Sequence, residues 1–114
     1  MSTSNFHIAI LVLTAIAAEA LTENRFVAPD DGLPDAGGNT LGVANMSTEA
    51  GAATPVITIG TASVEASAAI AKGAAIETLA DGRAVTQSSG VTVARAREAA
   101  TQAGDVIQVL LIQN

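Results

Sequence analysis

Side chains able to do chemistry are few in this sequence, and their spacing decides what they could do. His7 is the single histidine. General-base work needs a second group to orient the ring, and no Ser, Cys or carboxylate stands at motif spacing from it, so it reads as a surface or strand-edge imidazole. Asp30, Asp31 and Asp35 share one loop, PDDGLPDAGG. Oxygen-rich loops bind calcium, but this spacing departs from D-x-D-x-D-G. A solvated turn is expected there, with an ion site as the alternative. Ser67 and Lys72 are spaced S-x-x-x-x-K rather than S-x-x-K, and no G-x-x-x-x-G-K, G-x-G-x-x-G or G-x-S-x-G occurs. With no Cys, disulfides and thiolate metal sites are excluded. Asn45-Met46-Ser47 is a formal glycosylation acceptor, without meaning unless the chain is exported. No catalytic residue, cofactor or metal ligand is therefore expected.

What remains is recognition. Arg95 and Arg97 are two apart, so in a strand they share one face while Ala94 and Ala96 take the other. Two readings stay open: an electrostatic contact to an acidic patch on another molecule, or an exposed face paired with Glu98.

The chain that must position these residues has 114 residues, one domain by length and close to the size where self-association supplements the core. With two Phe, no Trp and no Tyr, burial falls to Val, Ile, Leu and Ala. At about 25 cal/mol per Å², small side chains stabilise little each, which favours burying further surface between copies. The net charge is −6 and the five cations are scattered. A basic patch and stacking aromatics, the usual footprint of nucleic-acid binding, are both missing. The acidic residues stand mostly singly in turns and read as solvated surface.

The most apolar stretch is FHIAILVLTAIAAEA, Phe6 to Ala20. A secretory signal needs positive charge ahead of its apolar core, and no Lys or Arg precedes Arg25. A membrane-spanning helix needs about 20 apolar residues, and this run meets Glu19 first. It is expected to be a buried core strand entering a small-residue turn. Residues 1–7 are then a polar N-terminal arm ahead of a single β domain over 8–114. Phe6, one of two aromatic side chains, is expected to anchor that arm at an interface between chains, with His7 beside it.

Further strands are expected at Pro55 to Ile59, Val91 to Ala94 and Val106 to Ile112, bounded by PDDGLPDAGGN, LADGR and QSSG. Asp-Gly is a hairpin signal that puts Gly82 at positive φ. The Ala-rich pieces Ser47 to Ala53 and Glu98 to Ala103 could each form one helical turn, so one or two short helical turns are expected. A shift of about fifty residues lays AEALTENRFV over AAIAKGAAIE and Asp31-Gly32 over Asp81-Gly82. This reads as a weak internal duplication, with pseudo-repeats over approximately 8–60 and 61–113. Each repeat runs strand, turn, strand, Asp-Gly turn, strand, Ala-rich turn, strand. The expected fold is mostly β, a small single-domain barrel or sandwich.

The stretch VEASAAIAKGAAIETLADGRAVTQSSGVTVARAREAATQAGDVIQVLLI, Val64 to Ile112, resembles the small phage capsid cement or head decoration proteins. Their usual pattern is a VEAGAAIAAGDPV turn, an ADGRAV hairpin, an ALEAAAAGE turn and a closing VLL strand. ALTENRFV and LGVANMSTEAG fit in the same order, so the resemblance covers roughly Ile8 to Ile112. Ala74 stands where an acidic residue commonly follows the turn glycine, and Ala96-Arg97 where Gly-Ile or similar is usual. The resemblance implies a non-enzymatic structural protein of the virion, assembled in the host cytoplasm. It would sit on the outer surface of the phage head, bound to the major capsid protein shell as a homotrimer. Two other classes are weaker readings. An exported bacterial surface or adhesion β-module lacks a charged leader, and a small enzyme subunit or ligand carrier lacks a polar constellation.

Overall fold

β-Branched runs punctuated by Gly, Asp and Ser set the strands. The computed structural model describes residues 8–114, and the arm with Phe6 and His7 lies outside the described residues. The strands are β1 (Ile8–Ile16), β2 (Phe26–Val27), β3 (Gly42–Ala44), β4 (Ala53–Glu65), β5 (Ala75–Thr78), β6 (Ala84–Thr86), β7 (Ala94–Ala96) and β8 (Val106–Leu111). They join one sheet in the order β2-β3-β4-β8-β7-β5-β6, with β1 added beside β4. The two ends of that order meet, because Phe26 N in β2 donates to Gly82 O in the turn before β6, at 2.8 Å. The sheet is thus a nearly closed barrel rather than a sandwich. Gly82 has φ +86, as its Asp-Gly signature predicts.

β4 is the spine, much longer than the Pro55 to Ile59 core that its apolar run marks. Ile57 pairs with both Val12 and Val43, and Thr61 with both Ile8 and Leu110, so β1 occupies one edge of β4 while β3 and β8 share the other. The core has two parts. Phe26, Val43, Ile57, Ala62, Val64, Ile70, Ile76, Ile107 and Val109 belong to the larger. Ala15, Ala17, Leu21, Val27, Ala44 and Val56 form the smaller.

Two expectations fail. No helix occurs among the described residues, and the Ala-rich pieces are turns. Ala100 exchanges backbone hydrogen bonds with Ile70, and Thr48 with Leu21, which uses the amides that a helical turn would need. Asp105 Oδ2 also accepts from Thr101 N at 2.9 Å and from Thr101 Oγ1 at 3.0 Å, tying the second turn across itself. Side-chain bonds of this kind compete with helix, and Ala propensity loses to them. The Val91 to Ala94 strand is displaced to β7: Val93 is buried and donates to Ile76 O, but Val91 and Thr92 lie outside any strand.

The hydrogen bonds recur with a shift near fifty. Ala17 N to Ala52 O matches Ala66 N to Asp105 O, Asn24 N to Ala44 O matches Gly73 N to Ala96 O, and Gly51 N to Ala17 O matches Gly104 N to Ala66 O. The β1–β4 register, Ile16 opposite Ala53, matches that of β4–β8, Glu65 opposite Val106. One detail differs from the sequence overlay. In the first Asp-Gly turn the positive φ belongs to Asp31 (φ 70) and not to Gly32, since Asp tolerates that region better than most residues.

Candidate functional site

β1 contains Ile, Leu, Val, Thr and Ala and no charge, a composition that would suit a strand buried on both faces. The tertiary structure places it otherwise, which corrects the expectation of a buried core strand. Ala15 is buried, but Ile8, Ile10, Leu11, Val12, Leu13 and Ile16 are all exposed, Ile10 to 78%. The physical reason lies in the topology. β1 pairs only with β4, nothing among the described residues pairs with its other edge, and its side chains reach the small cluster only through Ala15.

Register extends this surface across the sheet. Leu11 lies opposite Ile59, Ile8 opposite Thr61, and Thr61 opposite Leu110. Directly opposed residues share a face, so Thr61 lies between Ile8 and Leu110, and Leu11 beside Ile59 where the β1 register shifts between Ala9 and Val12. The Thr61 hydroxyl accepts from Ile8 N at 3.0 Å. The same face continues onto β7, where Arg95 lies opposite Leu110. Arg97 N donates to Gln108 O, which keeps Arg97 on the Arg95 side of the strand while Ala94 and Ala96 are buried.

The structure therefore brings the two arginines singled out by spacing to the rim of an apolar sheet face that the sequence assigned to the core. Arg95 Nη1 donates to Gly73 O at 2.9 Å. Glu98, considered as the partner of Arg97, instead accepts from Gln108 N at 2.7 Å. The ion pairs among the described residues are Arg25–Glu65 at 3.2 Å and Arg83–Asp81 at 2.8 Å, so neither rim arginine has a carboxylate of its own. What sequence reasoning missed is Ile59 and Leu110; Leu110 alternates with the buried Ile107 and Val109 of β8, whereas Ile59 follows three buried residues in β4 and carries no such signal.

Several of the other polar groups hold loops in place. Asp30 Oδ1 accepts from Gly32 N within its own loop. The loop lines a depression of about 280 Å³ with Pro29, Leu33, Asp35 and Asn39. No group of three His, Cys, Asp or Glu side chains among the described residues is arranged to hold a metal ion. Glu77 accepts from Ser88 N at 2.6 Å, from Gly90 N at 3.3 Å and from Ser88 Oγ at 3.3 Å. The Ser88 amide bond, outweighing desolvation, holds its pKa below the ordinary glutamate value. Glu77 thereby fastens the 87–90 loop to β5, a clamp rather than a proton-transfer group.

A family model described as phage cement protein matches residues 7–111. Among solved structures, the crystal structure of the N base of head fiber gp8.5 of bacteriophage phi29 superposes with a TM-score of 0.71 at 25% identity. The alignment covers 90% of this chain and 93% of that one. No curated protein matches the chain significantly.

Proposed function

This chain belongs to the phage cement protein family, and on that premise we propose that it binds the outer surface of the major capsid protein shell as a trimer and stabilises the head. A structural role in the phage head follows from the family and from the head-fiber neighbour. Binding to the major capsid protein, the trimer and the absence of enzymatic activity are this proposal's own additions.

The observation that carries the reading is the family match over residues 7–111; the exposed face of β1, β4 and β8, apolar and rimmed by Arg95 and Arg97, supplies surface for the contacts between molecules that such a role requires. Contiguous apolar surface of this kind marks an interaction site on a soluble protein. An edge strand left with a free row of N–H and C=O groups is a hazard unless something covers it. A cement protein acts by burying such surface between molecules, and added interface is the whole mechanism. Each copy that bridges neighbouring shell subunits raises the free energy needed to separate them. In the same proposal the 1–7 arm contributes Phe6 and His7 to an interface.

The test is decoration. Purified protein mixed with heads that lack it should co-sediment with them, appear as added density on their outer surface by negative-stain imaging, and raise the temperature at which they rupture. Heads that remain bare at saturating protein would refute the reading.

A further inference from the structure

The second half of the chain shows how a strand like β1 looks when it is covered. By the shift of 49 that relates Ala17 to Ala66, Ile8–Ile16 corresponds to Ile57–Glu65 in β4. Ile57 is 1% exposed where Ile8 is 55%, and Ala62 is fully buried where Leu13 is 39% exposed. Ser63 is buried where Thr14 is exposed. The cover comes from the first half. Phe26 and Val43 enter the cluster that contains Ala62 and Val64, Asn24 O accepts from Glu65 N at 2.8 Å, and Arg25 pairs with Glu65. One half-unit of this fold thus completes the core of the next, and β1 is the strand for which no such half-unit exists among the described residues.

We propose that a second copy of this chain supplies it. β1 and the adjoining Ile59 and Leu110 are then the seam between subunits rather than the surface that faces the shell. The proposal rests on the trimeric reading above and names where its subunits join. Three observations select this occupant over another protein. A half-unit of the same fold already covers the equivalent strand within one chain.

Charge fits as well. Eleven acidic residues outnumber five basic ones, Arg25 and Arg83 are already paired, and the Arg95–Arg97 rim needs carboxylates, which a second copy carries in excess. The shape also fits. Six side chains between Ile8 and Ile16 are exposed, and because neighbours along a strand alternate between its faces they lie on both sides of β1, so an occupant must wrap the strand rather than press on one face. A strand that meets a different patch on its neighbour makes a head-to-tail contact, which closes into a ring when the rotation allows.

Ile10 is the position for the test, since at 78% exposure its replacement leaves the fold of one subunit undisturbed. Leu33, 40% exposed in the 29–39 loop and outside β1, is the control. Wild-type protein and Leu33→Glu should run as the same oligomer by native mass spectrometry and analytical ultracentrifugation. Ile10→Glu should run as a folded monomer, its dissociation constant raised on the order of 100-fold or more by the buried, unpaired charge. Ile10→Lys repeats the test with the opposite sign.

Oligomers that persist in both Ile10 variants overturn the proposal. So does a monomeric wild type that still decorates heads while Ile10→Glu does not, because β1 then meets the shell. A wild-type oligomer that falls apart in Ile10→Glu but never binds heads supports the seam and refutes the cement function instead.

Discussion

Gly82 closes the barrel, and its replacement gives a quantity that can be worked out from the structure. At φ +86, an alanine would carry the left-handed penalty of about 1–2 kcal/mol. Its Cβ would also stand 2.7 Å from Phe26 O and 3.0 Å from Arg25 Cβ, too close for either to remain in place. Relieving that contact means lengthening the 2.8 Å bond from Phe26 N to Gly82 O that joins the two ends of the sheet. Overpacking of this kind costs about 1–3 kcal/mol. Gly82→Ala should therefore destabilise by about 2–5 kcal/mol in total.

Gly73 separates the two contributions. Its φ is +88 and an added Cβ would meet nothing within 4 Å, so Gly73→Ala should lose only the backbone penalty, about 1–2 kcal/mol. The assay is urea unfolding followed by far-ultraviolet circular dichroism, since the chain has no Trp or Tyr for intrinsic fluorescence. Equal losses at the two positions, or a Gly82→Ala protein as stable as wild type, would refute the closure argument.

Glu77→Gln should lower the melting temperature at neutral pH and do so less as the solution is acidified. A carboxylate whose folded pKa is depressed stabilises above its unfolded value, 4.5, and loses that contribution as pH falls through the folded value. A gap constant from pH 7 to pH 3 would count against the clamp. Replacing both Arg95 and Arg97 by Ala should leave unfolding within about 0.5 kcal/mol of wild type while flattening the salt dependence of self-association or head binding, and an unchanged salt dependence would remove the rim from the interface. Deleting residues 1–6 should leave the melting curve of the barrel intact and weaken oligomers or head binding, and unchanged affinity for heads would make the arm dispensable.

Much of the fold was legible locally. Val106 to Ile112 is a strand because its β-branched residues are bounded by turn signals, and β8 follows that run to Leu111. Gly82 is left-handed because an Asp-Gly turn requires it. The recurrence near fifty residues is visible in the chain because the same turn chemistry is needed twice. That none of the catalytic motifs sought occurs was equally plain, since motif spacing is a property of sequence.

The Ala-rich turns were misread because helix propensity is worth tenths of a kcal/mol, whereas the paired bonds between Ala100 and Ile70 are tertiary and the bond from Thr101 to Asp105 competes with helix from within the turn. The exposure of β1 could not be read at all. A run such as IAILVLTAI is the same sequence whether both its faces are covered within the chain or await another molecule, and only the topology, which leaves the outer edge of β1 unpaired among the described residues, distinguishes them. The pairing of Arg95 with Leu110, and through it the joining of a basic rim to an apolar face, likewise depends on strands that are distant in sequence being neighbours in the barrel. Sequence determined the elements and their turns. Tertiary structure decided which surface was left over, because burial belongs to the whole sheet and not to any strand in it.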